Sequence, residues 1–296
     1  MLNLRKQFKK HIPYILCLPT FTILFAITVI PVGYTLYTSF CKWELEGFRP
    51  VFTGLANYEL LFFRDVDFWH SVWITLEYLI IGLSLQFSLG LGMALIVNKP
   101  SLKFQGVFRT LIIVPLITTP VVIGLFWRIM YNPTFGVINH ILQSIGLIRQ
   151  PIPWLGQSST ALLSVVIVDT WQWTPFVFLL LSAGLKSLPV EFFEAAQIDG
   201  ATRWQTFRYL TLPLLRYIIL VTILFRGSDI FNTFDLIYVL TKGGPGTATQ
   251  TLNLYGFLQM FTWLNLSYGA TIIVSLLIIV GLFAVVFINV LRMKVL

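Results

Sequence analysis

Charge is what this sequence has least of. Of its 296 residues only 11% are Asp, Glu, Lys or Arg, 57% are hydrophobic, and the mean hydropathy is +0.83. A water-soluble domain needs more polar surface, so the composition points to a polytopic membrane protein. Cysteine and histidine are nearly missing too. Cys17 and Cys41 lie at opposite ends of the first apolar run, roughly 36 Å apart on an ideal helix and too far to pair, so both are read as packing residues. His11, His70 and His140 fall in loops or at a span end. They leave no metal-ligand cluster and no nucleophile–base pair, so neither catalytic nor metal residues are assigned and an intramembrane enzyme lacks its parts. A phosphate loop of the Gly-x-x-x-x-Gly-Lys-Ser/Thr type does not occur, nor does any Gly-Lys pair, so nucleotide chemistry is not expected in this chain. There is no low-complexity segment and no clear internal repeat. The net charge of +8 and pI of 9.6 would suggest nucleic acid in a soluble protein. In a membrane protein the basic residues belong to loops facing anionic lipid, and no nucleic-acid partner is expected.

What is present is a series of long apolar runs, and the length leaves room for about six spans of about 20 residues each. They fall near 14–40, 71–97, 108–131, 160–185, 213–240 and 268–291, with polar breaks at 41–70, 98–107, 132–159, 186–212 and 241–267. The run after the basic stretch Leu2–Lys10 is span-length and has no small-residue cleavage site, so it is expected to be a span and not a removable signal. Lys and Arg set the orientation. Arg5, Lys6, Lys9, Lys10, Lys99, Lys103, Arg109, Lys186, Arg203, Arg208, Arg216, Arg292 and Lys294 fall on one side, against Lys42, Arg49, Arg64, Arg128, Arg149 and Lys242 on the other. Thirteen against six places both termini in the cytoplasm. The first outer loop, with Glu44, Glu46, Glu59, Asp65 and Asp67, agrees with that orientation. The expected fold is an all-α membrane protein divided into 1–70 (tail, first span and outer loop), a core at 71–291 and a cytoplasmic end at 292–296.

Two features break the apolar pattern. The third span carries Pro115 and Pro120, each of which removes a backbone donor; either neighbouring helices repair a simple bend, or the prolines form a hinge or cavity wall. The longest inner loop, 186–212, reads as two short helices. Pro189 suits a first helical turn, Glu191 and Glu194 favour its positive end, and Gly200 can take the left-handed conformation that stops it. Thr202 and Gln205 have capping-box spacing for a second helix, and Leu212-Pro213 marks the start of the fifth span. The first helix is amphipathic but acidic. A helix lying on lipid favours Lys and Arg, so a docking knob fits its charge better than a lipid-surface helix.

Glu194-Ala195-Ala196-x-x-Asp199-Gly200-Ala201, then Phe207 and Leu212-Pro213, resembles the EAA loop of permease subunits in binding-protein-dependent ABC importers. The family often has a second proline soon after the Leu-Pro, where this chain has Arg216-Tyr217. Three more segments are similar to the carbohydrate-uptake branch, of maltose and glycerol-3-phosphate type: Phe52-Thr53-Gly54-Leu55-Ala56-Asn57-Tyr58; Trp127-Arg128-Ile129-Met130-Tyr131-Asn132-Pro133 with Gly136-Val137-Ile138-Asn139; and Leu240-Thr241-Lys242-Gly243-Gly244-Pro245. The resemblance implies a six-helix permease with a cytoplasmic coupling helix, working by alternating access in the inner membrane. Its implied partners are a second, non-identical permease, two ATP-binding cassette subunits that bind ATP and Mg, an external substrate-binding protein and lipid. This chain itself would carry no cofactor. Glu194, Ala195, Ala196, Asp199, Gly200, Ala201 and Pro213 would couple it to the ATPase.

Ionisable groups inside spans are costly and default to functional candidates. Glu77, Asp169, Arg226, Asp229 and Asp235 qualify. Asp169, Gln172 and Trp173 share one helical face by their i, i+3, i+4 spacing, as do Asp229 and Asn232. Carboxylates and amides beside an aromatic face suit a sugar, and these five residues are the candidate substrate path. Arg226 and Asp229 could equally just neutralise each other, and Glu77 could be solvated. A disaccharide, a glycosylated compatible solute and glycerol-3-phosphate or another polyol all stay open as cargo. A proton-coupled secondary transporter using Asp169 and Asp229 is the competing class, and it leaves 186–212 unexplained.

Overall fold

The structure, a computed structural model, describes residues 2–43, 50–99 and 102–292. Glu44, Glu46 and Arg49 of the expected outer loop, and the C-terminal segment beyond Arg292 with Lys294, lie outside them. In chain order the elements are α1 (Leu2–Ser39), β1 (Cys41–Lys42), β2 (Val51–Phe52), α2 (Ala56–Phe63), α3 (Val66–Val97), α4 (Gln105–Ile117), α5 (Pro120–Met130) and α6 (Val137–Ser144). Then follow α7 (Ser158–Lys186), α8 (Val190–Ile198), α9 (Arg203–Thr206), α10 (Leu212–Phe231), α11 (Asp235–Leu240), α12 (Leu252–Phe257) and α13 (Leu266–Arg292). Among the described residues five helices are long and apolar enough to cross a membrane, or six if the bent pair α4 and α5 is one span. The helical membrane architecture is thus as the sequence implies, apart from the short antiparallel pair β1–β2.

The chain divides into two compact units. In the unit formed by Met1–Asp65 and Gly256–Ser275, the Phe52–Tyr58 segment clamps the end of α1. Asn57 Nδ2 donates to the carbonyls of Ser39 (3.0 Å) and Cys41 (2.7 Å), and the Tyr58 hydroxyl bonds Ser39 Oγ at 2.7 Å. These bonds satisfy carbonyls that the helix end and the turn into β1 leave free. Cys41 is buried, as a packing residue should be, but Cys17 is exposed on α1 and is not one within this chain.

In the unit formed by Val66–Tyr255 and Leu276–Leu296, α3 packs along α7. They come close at Gly90, where an added Cβ would lie 2.7 Å from Val177 Cγ1. In hydrocarbon, helix association relies on such small residues because apolar burial drives nothing. Ala94, Val97, Val177, Phe178 and Leu181 form the core beside it. The ends of α3, α4 and α7 are tied by polar bonds: Asn98 Nδ2 donates to Ser182 Oγ (2.8 Å), and Arg109 Nη2 donates to Asn98 Oδ1 (2.9 Å). Asn139, from the Gly136–Asn139 segment, is buried. Its amide donates to the Ile152 carbonyl (2.9 Å), and its oxygen accepts from the Ile152 amide (3.2 Å) and the Trp154 indole (2.9 Å), which fixes the 132–159 loop.

Three expectations about the spans need correcting. The third is not one helix: α4 and α5 meet at 95°, broken at Thr118 and Thr119, with Pro120 opening α5. The fifth does not reach 240. Its helix ends at Phe231, Asn232 caps it, and α11 is separate. Leu212-Pro213 does open α10, but the span begins earlier, because α9 runs through a π-turn at Phe207–Thr211 directly into α10. The wider turn lies just ahead of Pro213, whose ring and missing donor disturb the preceding turn of an α-helix. A smaller correction is that Pro189 caps α8 from outside its first turn.

Candidate functional site

Within the second unit, α7 and α10 place charge inside the spans, and the helical period puts it on facing surfaces. Asp169 is fully buried and Arg226 is 1% exposed. Arg226 Nη2 pairs with Asp169 Oδ2, and Nη1 pairs with Asp229 Oδ2 one turn along α10. Arg226 Nε donates to Gln86 Oε1 at 2.7 Å, and Gln86 Nε2 donates to Asp169 Oδ2 at 2.8 Å. The guanidinium also stacks over the Trp173 ring, 4.7 Å from its centre. Ions cannot be left alone at such depth, and here each is paired and hydrogen-bonded. Arg226 and Asp229 do neutralise each other in part, but the arginine's second carboxylate is Asp169, from another helix.

Beside this knot is a hollow of about 110 Å³. Asp169, Gln172, Trp173, Asp229 and Asn232, the whole substrate-path set read from sequence, line it together with Asp235. The break after Phe231 makes this possible, since it leaves Asp229 and Asn232 on the last turn of α10 and Asp235 on the first turn of α11. Asn232 Nδ2 donates to the Ser228 carbonyl and Asn253 Nδ2 to the Asn232 carbonyl, each at 2.8 Å, closing that helix end. Gln172 Nε2 donates to the Thr118 carbonyl (3.3 Å), freed by the break between α4 and α5. Pro120 also lines the hollow, so the proline-bearing segment is part of a cavity wall. Glu77 is half-buried on α3 and is not among the lining residues. Gln86 was missed by sequence reasoning. Its signal was a lone amide in the apolar run of α3.

The second candidate region is the elbow from Pro189 to Pro213. Glu194 and Ala195 are exposed and Ala196 is buried. The helix stops as a Schellman turn: Gly200 sits at φ +73°, its amide donates to the Gln197 carbonyl (3.1 Å), and the Ala201 amide donates to the Ala196 carbonyl (2.9 Å). Asp199 is the capping position. Thr202 and Gln205 then form the expected capping box, with Thr202 N–H donating to Gln205 Oε1 (2.8 Å) and Gln205 N–H to Thr202 Oγ1 (3.3 Å). Phe192, Ile198 and Trp204 stand exposed around these polar groups. Among the described residues no group of three or more His, Cys, Asp or Glu side chains could hold a metal ion.

Residues 86–294 match the family of binding-protein-dependent transport system inner membrane components. The chain belongs to that family. It is a permease, a transport component and not an enzyme. A probable ABC transporter permease of Sinorhizobium fredii is 38% identical over 272 residues, covering 90% of this chain and 85% of its own. The trehalose/maltose transport system permease protein MalF of Thermococcus litoralis is 35% identical over 281 residues, covering 95% and 94%. A chain from the crystal structure of a bacterial ABC transporter involved in import of the acidic polysaccharide alginate superposes with a TM-score of 0.83 over 98% of both chains. At 22% identity that likeness shows the permease has the same fold. Both the polar hollow and the elbow lie in the part of the permease that the family covers.

Proposed function

We propose that this permease carries a sugar or sugar-like solute, such as a disaccharide or glycosylated compatible solute, across the inner membrane by alternating access. ATP and Mg bind partner ATPase subunits, and residues 71–291 form the transport core, paired with a second, non-identical permease. An external binding protein delivers the cargo, and both chain termini face the cytoplasm. Relatives named for trehalose/maltose and trehalose transport support the cargo class, as does a hollow that offers carboxylates, amides and an indole to a hydroxylated solute.

The observation that carries the reading is the uninterrupted path of Arg203–Phe231. It begins one residue after the Gly200–Thr202 turn and ends at the hollow, about 36 Å of helix from capping box to Arg226. In this reading Glu194, Ala195, Ala196, Asp199, Gly200 and Ala201 present α8 to the ATPase, with Glu194 in polar contact and the Ala195-Ala196 pair allowing close approach. Pro213 sits where the capped helix enters the span. Displacement of α8 then reaches Arg226 and Asp229 through one helix. The expected cycle starts with docking of the loaded binding protein. Closure of the ATPase dimer draws on the elbow and opens the cavity outward, and hydrolysis resets it.

The test is ATPase activity of the reconstituted complex against a panel of sugars. Stimulation by one sugar in the wild type, lost in Glu194→Ala while the complex still assembles, is the expected result. Uptake that follows a proton gradient with no associated ATPase would overturn it in favour of a secondary transporter.

A further inference from the structure

The relatives do not decide what charge the cargo may bear, since the family's fold also serves a transporter involved in importing an acidic polysaccharide. The side chains around the hollow do decide it. Its lining holds the carboxyl groups of Asp169, Asp229 and Asp235 and no cation. Arg226 would be the natural partner for a phosphate or carboxylate, but it is buried behind the lining. Its Nε, Nη1 and Nη2 are given to Gln86, Asp229 and Asp169, and its face to Trp173. Three other polar side chains of the lining also donate locally. The Gln172 amide donates to the Thr118 carbonyl, the Asn232 amide to the Ser228 carbonyl, and the Thr233 hydroxyl to the Asp229 carbonyl. Gln172 Oε1 and Asp169 Oδ1 are buried acceptors of the two lining residues. With three carboxyl groups and no cation in the lining, the hollow suits a group that donates hydrogen bonds and does not suit an anion. At about 110 Å³ the hollow is also smaller than a whole-ligand pocket, which runs to about 300 Å³ or more, so it receives one edge of a solute.

We infer that this hollow binds the hydroxyl-bearing edge of an uncharged or amino sugar and excludes acidic sugars, with Asp229 and Asp235 at its rim as the specificity-determining residues. The inference rests on the sugar reading for the identity of the cargo, but not for the sign of the charge. The carboxylates accept hydroxyl or ammonium protons and repel a uronate, sulfonate or phosphate ester. Exclusion here comes from a repulsive element as well as from attraction.

The experiment uses the assembled complex with Cys17→Ser and Cys41→Ser and a thiol introduced at the rim by Asn232→Cys. Its reaction rates with trimethylammonioethyl and sulfonatoethyl methanethiosulfonate are each normalised to a free thiol in solution. The cationic probe should react faster by about tenfold or more, and Asp235→Asn, outside the Arg226 ion pairs, should cut that preference several-fold, as should Asp229→Asn. Equal rates for the two probes, a preference unchanged by both rim substitutions, or no reaction with either probe would each overturn the inference. In a second arm, trehalose and maltose should slow the labelling and their uronate counterparts should not; equal protection by the acidic members overturns the inference. Failure of every sugar to protect, with the charge preference intact, instead sinks the sugar reading and leaves the exclusion of anions standing.

Discussion

The elbow and the buried knot contain the same kinds of residue and are built in opposite ways. Every bond that shapes the elbow joins residues five or fewer positions apart, such as Ala201 to Ala196 and Thr202 to Gln205. The knot is made of bonds spanning 57, 83 and 140 residues, apart from the pairing of Arg226 with Asp229. A locally bonded element keeps its shape when it moves as a body. A knot across α3, α7 and α10 exists only while those helices are in register. On the proposed coupling, motion belongs to the elbow and registration to the knot.

The largest expected effect breaks the knot. Asp169→Ala leaves Arg226 buried with only its exposed partner, and removing one member of a buried pair costs about 3–5 kcal/mol. Thermal unfolding of the purified complex should fall accordingly, and Asp169→Leu combined with Arg226→Met should recover most of the loss. An unchanged melting temperature in the single variant would mean that the knot carries no registration. Next, Gly200→Val forces a β-branched residue to φ +73°, a local strain of about 1–3 kcal/mol. Uptake should be abolished while membrane insertion and assembly persist, and normal uptake would remove the elbow from the coupling path. The smallest effect is Thr202→Ala, which loses the capping box for about 1 kcal/mol. It should lower transport per ATP more than stability, and a proportional fall in both would blur the contrast between the two regions.

That contrast also explains what could be read from the sequence. The turn at the centre of the elbow was legible to the residue, because Gly200, Thr202 and Gln205 carry local rules that need no distant partner. The facing of Asp169, Gln172 and Trp173 was legible from helical spacing. Gln86 was not, because a single amide in an apolar run has no period and acquires meaning only from residues 83 and 140 positions away. The prolines announced a disturbance in the third span, but its angle is set by packing and by a carbonyl that Gln172 covers from another helix. The end of α10 was misread because neither Gly nor Pro stands between Phe231 and Asp235, and apolar residues resume directly after the break at Leu236.

Gln172 holds two posts. Its nitrogen mends the backbone where α4 stops, and the same side chain belongs to the lining of the hollow. The floor of the site is therefore mortgaged to the integrity of the span. On the proposed reading, a mutation that retunes the cargo at Gln172 also uncovers the Thr118 carbonyl, which the break leaves without a helical partner. On that reading, divergence toward new solutes is channelled to the rim at Asp235, which takes no part in the Arg226 ion pairs.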